Sequence, residues 1–381
     1  MKGRLLFVGI FIAYFLANLY LGIRVYPLVE STFWGIQVLY SAAVVLLVLS
    51  PILFFAFRKR ISVPKAAVLY KVGTGWLMLI IYAFLLALVS DLLRFGLGDR
   101  IGNIIPTFLS LSQVQAGFIV LGTVVIAWFG NLNYYRKKVV QLDLKTEKPL
   151  KQVMKIVVLS DLHLGHAISR KELKRWVTFI NDQQADLVLF AGDIIDNSLL
   201  PLTYYRLDEL LREIKSKHGV YACLGNHEYL ANVEMSLAFL EKANIRVLRD
   251  EVVEVLDGQI QLIGRDDKSN PHRKTLQQLV QPSPQHVQIV LDHQPYTLAE
   301  AAEQQLDFQF SGHTHRGQVW PFSWITDYLF EQSHGYLKKG NTQYYISSGL
   351  GIWGGRYRIG TQSEYVVVTL TSTSKGEKGD A

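Results

Sequence analysis

A single cysteine, Cys223, stands in 381 residues, so no internal disulfide can form and the fold does not depend on an oxidising compartment. Charge is scarce as well. Asp, Glu, Lys and Arg make up 19% of the chain, against roughly 25% in an ordinary soluble protein. Half of the residues are hydrophobic, which excludes a disordered chain and argues against a wholly soluble one. Histidine is missing from the whole first part, since none of the ten precedes His163. Acid is short in the same place. Residues 1–149 hold 15 Lys and Arg against 5 Asp and Glu, a net of +10, whereas the remainder holds 24 against 27, a net of −3. Two chemically different halves are joined. The basic excess sits at the ends of hydrophobic runs, which fits membrane orientation better than nucleic-acid binding.

Four apolar runs approach or exceed the roughly 20 residues a helix needs to cross a bilayer: about Leu5–Ile23, Phe33–Phe57, Val72–Leu93 and Val114–Phe129. The fourth is interrupted by Gly117 and Gly122 and followed by Gly130; small residues of this kind let membrane helices approach closely. Lys2 and Arg4 resemble the charged start of a signal peptide, but the apolar run after them is too long and no small-x-small site precedes Arg24, so the helix is expected to stay. If all four runs cross, three basic clusters share one side: Lys2 with Arg4, then Arg58, Lys59, Arg60 and Lys65, then Arg136, Lys137 and Lys138. The expectation is that both termini and the C-terminal half are cytoplasmic. No paired ionisable residues stand out inside the runs, which favours an anchor over an ion or proton pathway. Residues 1–135 are thus read as a transmembrane region and 136–152, charged and containing Pro149, as a basic linker.

From Val153 the pattern changes to short apolar runs that end in polar turns. Met154–Leu159, Leu187–Ala191, Val220–Leu224, Val287–Leu291 and Phe308–Phe310 read as buried strands, with amphipathic segments at Lys171–Gln183, Tyr204–Ser216 and Val233–Ala243. Arg246–Ile263 alternates as a hairpin would, turning at Asp257-Gly258. Strands near Tyr344–Ile346 and Tyr365–Leu370 close a domain expected over 153–371, and the polar tail 372–381 is expected to be disordered. Strand alternating with helix argues for a layered α/β domain.

Nearly every early strand ends in a residue able to bind metal. Asp161-Leu162-His163 follows the first, Gly192-Asp193 the second, Gly225-Asn226-His227-Glu228 the third, Asp292-His293 the fourth and Gly312-His313-Thr314-His315 the fifth. Carboxylate, imidazole and amide oxygen suit divalent first-row metals. Strand C-terminal ends in an open α/β sheet share one edge, where sites are built. Singly, each piece is more often a turn or a cap; as an ordered set after separate strands they point to a two-ion centre.

This series resembles the calcineurin-like metallophosphoesterase superfamily over about residues 153–370. The ending, Gly312-His313-Thr314-His315-Arg316-Gly317-Gln318 and then Ser347-Ser348-Gly349-Leu350-Gly351-Ile352-Trp353-Gly354-Gly355, resembles the bacterial membrane-associated branch in which YkuE and YaeI are grouped. The layout of the four-helix preface is similar to that of transmembrane proteins with a metallophosphoesterase domain. The resemblance implies an αββα sandwich, two β-sheets flanked by helices, in a protein of the bacterial inner membrane. It implies one metal held by Asp161, His163 and His315, a second held by Asn226, His293 and His313, and Asp193 bridging them. A hydroxide between the metals would attack phosphorus in line with the leaving group, and His227 would contact the phosphate and protonate the leaving oxygen. Asp196 matches an acid that orients this histidine; a helix N-cap is the competing reading. Manganese is the first expectation for the ions, then iron or zinc.

His166 is read either as a substrate contact or as a surface residue. Arg316, beside His315, is the first choice among Arg316, Arg356 and Arg358 to meet a phosphate. His218, His272, His286 and His334 lack motif context and are expected at the surface, and Glu228 is expected to support its loop. Between Val319 and Gly335 run Trp320, Phe322, Trp324, Ile325, Tyr328, Leu329 and Phe330. They read either as a packed lid or as an aromatic ledge in the bilayer interface. The leading expectation is a membrane-anchored two-metal hydrolase of a phosphoester or pyrophosphate on a lipid-linked substrate, since similar proteins include a UDP-2,3-diacylglucosamine hydrolase. The alternatives are a tethered phosphodiesterase for soluble, including cyclic, nucleotides and an inactive membrane scaffold or sensor.

Overall fold

The computed structural model describes residues 2–97 and 110–373. The chain forms two compact units, Met1–Leu132 with Gly354–Tyr357, and Asn133–Trp353 with Arg358–Ala381.

The first unit is helical: α1 (Lys2–Val25), α2 (Trp34–Phe57), α3 (Val63–Leu97) and α4 (Leu111–Tyr135). All four are long and apolar enough to cross a membrane. α3, at 35 residues, outruns the expected Val72–Leu93. Pro64 supplies a preset φ in its first turn, and Lys65 and Lys71 lie in the turns that precede the apolar run, their aliphatic stems being compatible with the membrane edge. Gly73 permits the crossing of α2 and α3, because a Cβ there would sit 2.8 Å from the Pro51 nitrogen. One expectation is corrected. Asp91, inside the third apolar run, pairs with Arg24 at 2.7 Å and accepts from the Tyr20 hydroxyl at 2.5 Å. An ion pair at the helix ends escapes a reading made one run at a time.

The second unit stacks two six-stranded mixed sheets. The first sheet contains β1 (Lys138–Thr146), β2 (Met154–Leu159), β3 (Leu187–Ala191), β4 (Val220–Cys223), β5 (Arg246–Val247) and β12 (Glu364–Ser372), in the order β1-β12-β2-β3-β4-β5. The other contains β6 (Glu251–Val255), β7 (Ile260–Gly264), β8 (Val287–Leu291), β9 (Phe308–Ser311), β10 (Gly335–Lys339) and β11 (Thr342–Ile346), in the order β10-β11-β9-β8-β7-β6. Alternate residues of both sheets meet in one core: Met154, Ile156 and Val158 with Leu187 and Leu189 from the first, Leu262, Ile289, Leu291 and Phe310 from the second. Val157 on the outer face of the first sheet is also fully buried, as is Trp176 of α5 (Arg170–Asp182). That helix starts at Ser169, whose hydroxyl accepts from the Glu172 N–H. Leu276 of α10 (Leu276–Leu279) and Leu298 of α11 (Leu298–Glu303) cover the outer face of the second sheet. The two-sheet, helix-flanked sandwich is the expected one.

Several expectations are revised. Residues 138–146, read as linker, form strand β1, which pairs parallel with β12. The segment Tyr204–Ser216 is two short helices, α6 (Leu200–Tyr204) and α7 (Leu207–Leu211), broken at Arg206 with φ +50. Arg246–Ile263 supplies β5 to the first sheet and only then the β6–β7 hairpin to the second. The tail expected to be disordered lies, from residue 374, outside the described residues; residue Ser372 belongs to β12.

Candidate metal centre

The site grows from strand ends. β2, β3 and β4 run parallel in one sheet, β8 and β9 in the other, so the loops after them gather at the sheets' C-terminal edges. Each loop turns at once. Asp161, His163, Asp193, His313 and His315 all have φ between +47 and +70, a conformation that costs a non-glycine residue about 1–3 kcal/mol and that concentrates at functional sites. Two glycines make the crowding possible. A Cβ on Gly225 would lie 2.2 Å from Asp193 Oδ1, and one on Gly312 would lie 2.2 Å from Asp161 Oδ2.

Donor atoms from these loops converge in three overlapping groups: Asp161, His163 and His315; His163, Asp193 and His227; Asp193, His293 and His313. The Nε2 atoms of His163 and His315 are 2.9 Å apart, and Asp161 Oδ1 lies 3.5 Å from His315 Nε2 and 3.8 Å from His163 Nε2. Asp193 Oδ2 stands 3.7 Å from His163 Nε2 and 3.1 Å from His293 Nε2, between the two ends of the site. His313 Nδ1 is 2.9 Å from Asn226 Oδ1. The structure thus brings together all seven residues for which the sequence suggested metal, with Asp193 in the middle.

The donor set fits divalent cations. Five of the seven, Asp161, His163, Asp193, His293 and His315, are buried. Burial and the His293 charge push His313 down to about 4, and burial with the His163 charge holds His315 well below the ordinary value. Both imidazoles therefore keep an unprotonated lone pair at neutral pH. Burial raises Asp161, whereas Asp193, despite its burial, is held well below the usual carboxylate range by the charge and hydrogen bond of His293. His293 is itself pushed well above its usual value, because Asp193 and Asp161 outweigh its burial; the same negative charge would favour a bound cation. Its Nδ1 lies 2.7 Å from the Ala191 carbonyl, the partner that turns the other nitrogen toward a metal.

The surroundings hold these loops still. Glu228, fully buried, accepts from the backbone N–H groups of Asp193 (3.0 Å), Ile195 (2.8 Å) and Gly225 (2.7 Å). This is the supporting role expected of it. Asp161 accepts from the His313 N–H at 3.0 Å. Asp196 places Oδ1 3.2 Å from His227 Nδ1 and 3.8 Å from His163 Nδ1, so it lies where an orienting acid must. Asp267, absent from the sequence reading, accepts both hydrogen bonds of Gln294, the neighbour of His293; its signal was only an acidic pair after a strand.

Other residues fall differently. Arg358 does not face a phosphate: it is fully buried and donates to the carbonyls of His315 (3.0 Å), Ser348 (2.6 Å) and Gly351 (2.8 Å). Arg356 belongs to the helical unit. Arg316 is exposed beside His315, and His166 is buried one residue after Gly165, which abuts Asp196. His334, expected at the surface, is partly buried and lies 3.1 Å from Glu364, and His218 and His286 are partly buried too. Tyr296 and Lys268, which the sequence did not single out, join Phe330 in an aromatic rim: the Tyr296 ring stands 4.8 Å from Phe330 and 6.2 Å from His313, with Lys268 Nζ 4.0 Å above it.

Comparison with known proteins agrees with this geometry. Residues 154–317 match the family model of the calcineurin-like phosphoesterases. The chain is 32% identical over 245 residues to an uncharacterized metallophosphoesterase of Helicobacter pylori J99, covering 62% of this chain and 64% of that one. It is 31% identical over 291 residues to an uncharacterized metallophosphoesterase of Campylobacter jejuni, covering 74% of each. It is 28% identical over 324 residues to a Danio rerio protein named transmembrane protein with metallophosphoesterase domain, covering 77% of this chain and 74% of the relative. The chain thus spans 64% of the length of the Helicobacter relative. It belongs to the calcineurin-like metallophosphoesterase family.

Proposed function

We propose that this metallophosphoesterase is a membrane-anchored hydrolase of a phosphoester or pyrophosphate bond in a lipid-linked substrate. The observation that carries the proposal is the pair of donor groups sharing Asp193: Asp161, His163 and His315 on one side, Asn226, His293 and His313 on the other. Two divalent ions bound there, manganese first and then iron or zinc, would supply Lewis-acid activation of the phosphoryl group and a nucleophilic water.

The chain's own residues do the rest. His227 opens helix α8 (Asn226–Ala231) with Asn226, and its Nδ1 faces Asp196. That partner leaves Nε2 for a substrate oxygen. Burial opposes the charged ring, but the Asp196 hydrogen bond and the Asp193 charge hold His227 up at about 9. A protonated His227 can bind the phosphate and give its proton to the leaving oxygen. Asp196 is the positioning residue. Arg316, exposed next to His315, is proposed to meet the phosphate, and His166, buried, to contact the substrate. The bilayer is the partner, the bacterial inner membrane the location, and the cytoplasm the side of the catalytic unit, as the basic clusters Arg58–Arg60 and Arg136–Lys138 support.

The test is phosphate release by the purified full-length protein in detergent with manganese. Lipid phosphates, lipid pyrophosphates, UDP-diacylglucosamine and cyclic nucleotides are compared, beside His227→Ala and Asp193→Asn. His227→Ala should lower kcat by about 10²–10⁴, and turnover should be confined to lipid-linked compounds. Equal turnover of soluble nucleotides would overturn the lipid assignment; no turnover with two ions bound would overturn the hydrolase.

A further inference from the structure

Helix α12 (Phe322–Leu329) wears its polarity inside out. Ser323 is buried, whereas Trp324, Ile325, Tyr328 and Leu329 are 65%, 52%, 88% and 61% exposed. Positions i, i+1, i+4 and i+5 share one face, and a helix of a water-facing domain keeps such a face against the core. The only charged side chain in the helix, Asp327, accepts from the Ser333 hydroxyl. The helix is also fixed in place. Before it, the Trp320 N–H donates to the Ile359 carbonyl at 2.8 Å. After it, Phe330 turns inward, its ring 4.8 Å from Tyr296 and 6.0 Å from His313. The apolar face is therefore held outward.

The patch extends past the helix. Trp320 packs edge-on against Trp324 with ring centroids 5.3 Å apart. Trp353, half exposed, is joined to the same loop by two hydrogen bonds with the Gln318 side chain, at 2.9 Å and 2.8 Å. Trp353 is the last residue before the chain passes into Gly354–Tyr357, which belongs to the unit of the four apolar helices.

We propose that α12 lies in the membrane–water interface, with Trp324, Ile325, Tyr328 and Leu329 in contact with lipid. A chain with four membrane-length helices always has a bilayer at hand. Trp and Tyr are the side chains that favour that boundary, and an uncharged apolar helix face held outward has the chemistry of an interfacial helix. The placement does not depend on the hydrolytic reading. If that reading holds as well, Phe330 and Tyr296, packed beside His313, lie between this face and the metal donors.

The experiment reads depth, not turnover. Cys223 is the only cysteine and is buried, so Tyr328→Cys can be labelled selectively with an environment-sensitive fluorophore in the full-length protein. The control is Asp257→Cys, at the exposed tip of the β6–β7 hairpin. Both are placed in vesicles of phosphatidylcholine and phosphatidylglycerol carrying nitroxide-labelled acyl chains. The expected result is quenching by lipid nitroxide several-fold stronger at 328 than at 257, with 328 shielded from aqueous iodide. Equal iodide access at both positions would overturn the proposal. Shielding at 328 without nitroxide quenching would overturn it too, in favour of a second copy or another protein as the cover. Trp324→Cys gives an independent reading should the label at 328 disturb the helix.

Discussion

Replacing Glu228 by glutamine changes almost no volume, yet it should lower the stability of the catalytic unit by about 2 kcal/mol. One carboxylate oxygen accepts from the Asp193 and Gly225 N–H groups and the other from the Ile195 N–H. A glutamine can present oxygen at only one of those places. The better orientation keeps Asp193 and Gly225 and turns an NH₂ group against the buried Ile195 N–H, leaving a donor unsatisfied at about 1–3 kcal/mol. The amide hydrogens are buried as well and add roughly another 1 kcal/mol. Part of this is offset, because burial and the Asp193 charge push the Glu228 carboxyl up to about 7, so its removal relieves a strained charge. With about 2–4 °C per kcal/mol for a unit of this size, the melt should fall by about 4–8 °C. The assay is thermal unfolding of the full-length protein in detergent, stripped of metal, at one scan rate. Glu228→Ala, which leaves three buried N–H groups without an acceptor, should fall further. A glutamine variant within about 2 °C of the parent, with alanine no worse, would refute the reasoning.

Gly225→Ala is conformationally allowed at φ −111 and ψ −179, so its effect is steric: the new methyl meets Asp193 Oδ1, and manganese affinity should drop about 10–100-fold in a calorimetric titration. Arg358→Lys keeps the charge but loses the fork that serves the His315, Ser348 and Gly351 carbonyls; a thermal melt should show a loss of about 3 kcal/mol. Asp186 is held below the usual carboxylate range: burial pushes it up, but the Lys155 N–H and the Lys217 ammonium outweigh that. A depressed folded value means that its stabilisation is complete above the unfolded value and is lost as pH falls through the folded one. Asp186→Asn should therefore cost about 1 kcal/mol near neutral pH, with the gap closing in denaturant titrations as pH falls below the ordinary carboxylate range.

The order of the site was legible because its strands are short apolar runs buried on both faces, and a polar ligand after each run breaks the pattern abruptly, as Asp161 does after Leu159. Side-chain convergence was not, since it depends on left-handed turns at Asp161, Asp193 and His313, a conformation that Asp and His adopt more readily than most residues yet too rarely for the sequence to place. Strand β1 hid for another reason. Its edge position leaves Lys138, Val139, Gln141 and Asp143 exposed, so it reads as a solvated linker, and its partner β12 lies more than two hundred residues away. Arg316, Arg356 and Arg358 look alike as letters. Only tertiary packing spends the Arg358 guanidinium on backbone carbonyls while leaving Arg316 in solvent. The Arg24–Asp91 pair leaves no trace in hydropathy, because it joins residues of two helices far apart in the chain.

The central claim is a two-ion centre that shares Asp193. Its most direct test is the metal content of the full-length protein after loading with manganese and removal of free ion, beside Asp193→Asn of matched melting behaviour. The account requires two ions per chain in the parent and fewer in the variant, because the carboxylate between the donor groups can no longer serve both. One ion or none in the parent, or two in both proteins, would contradict it.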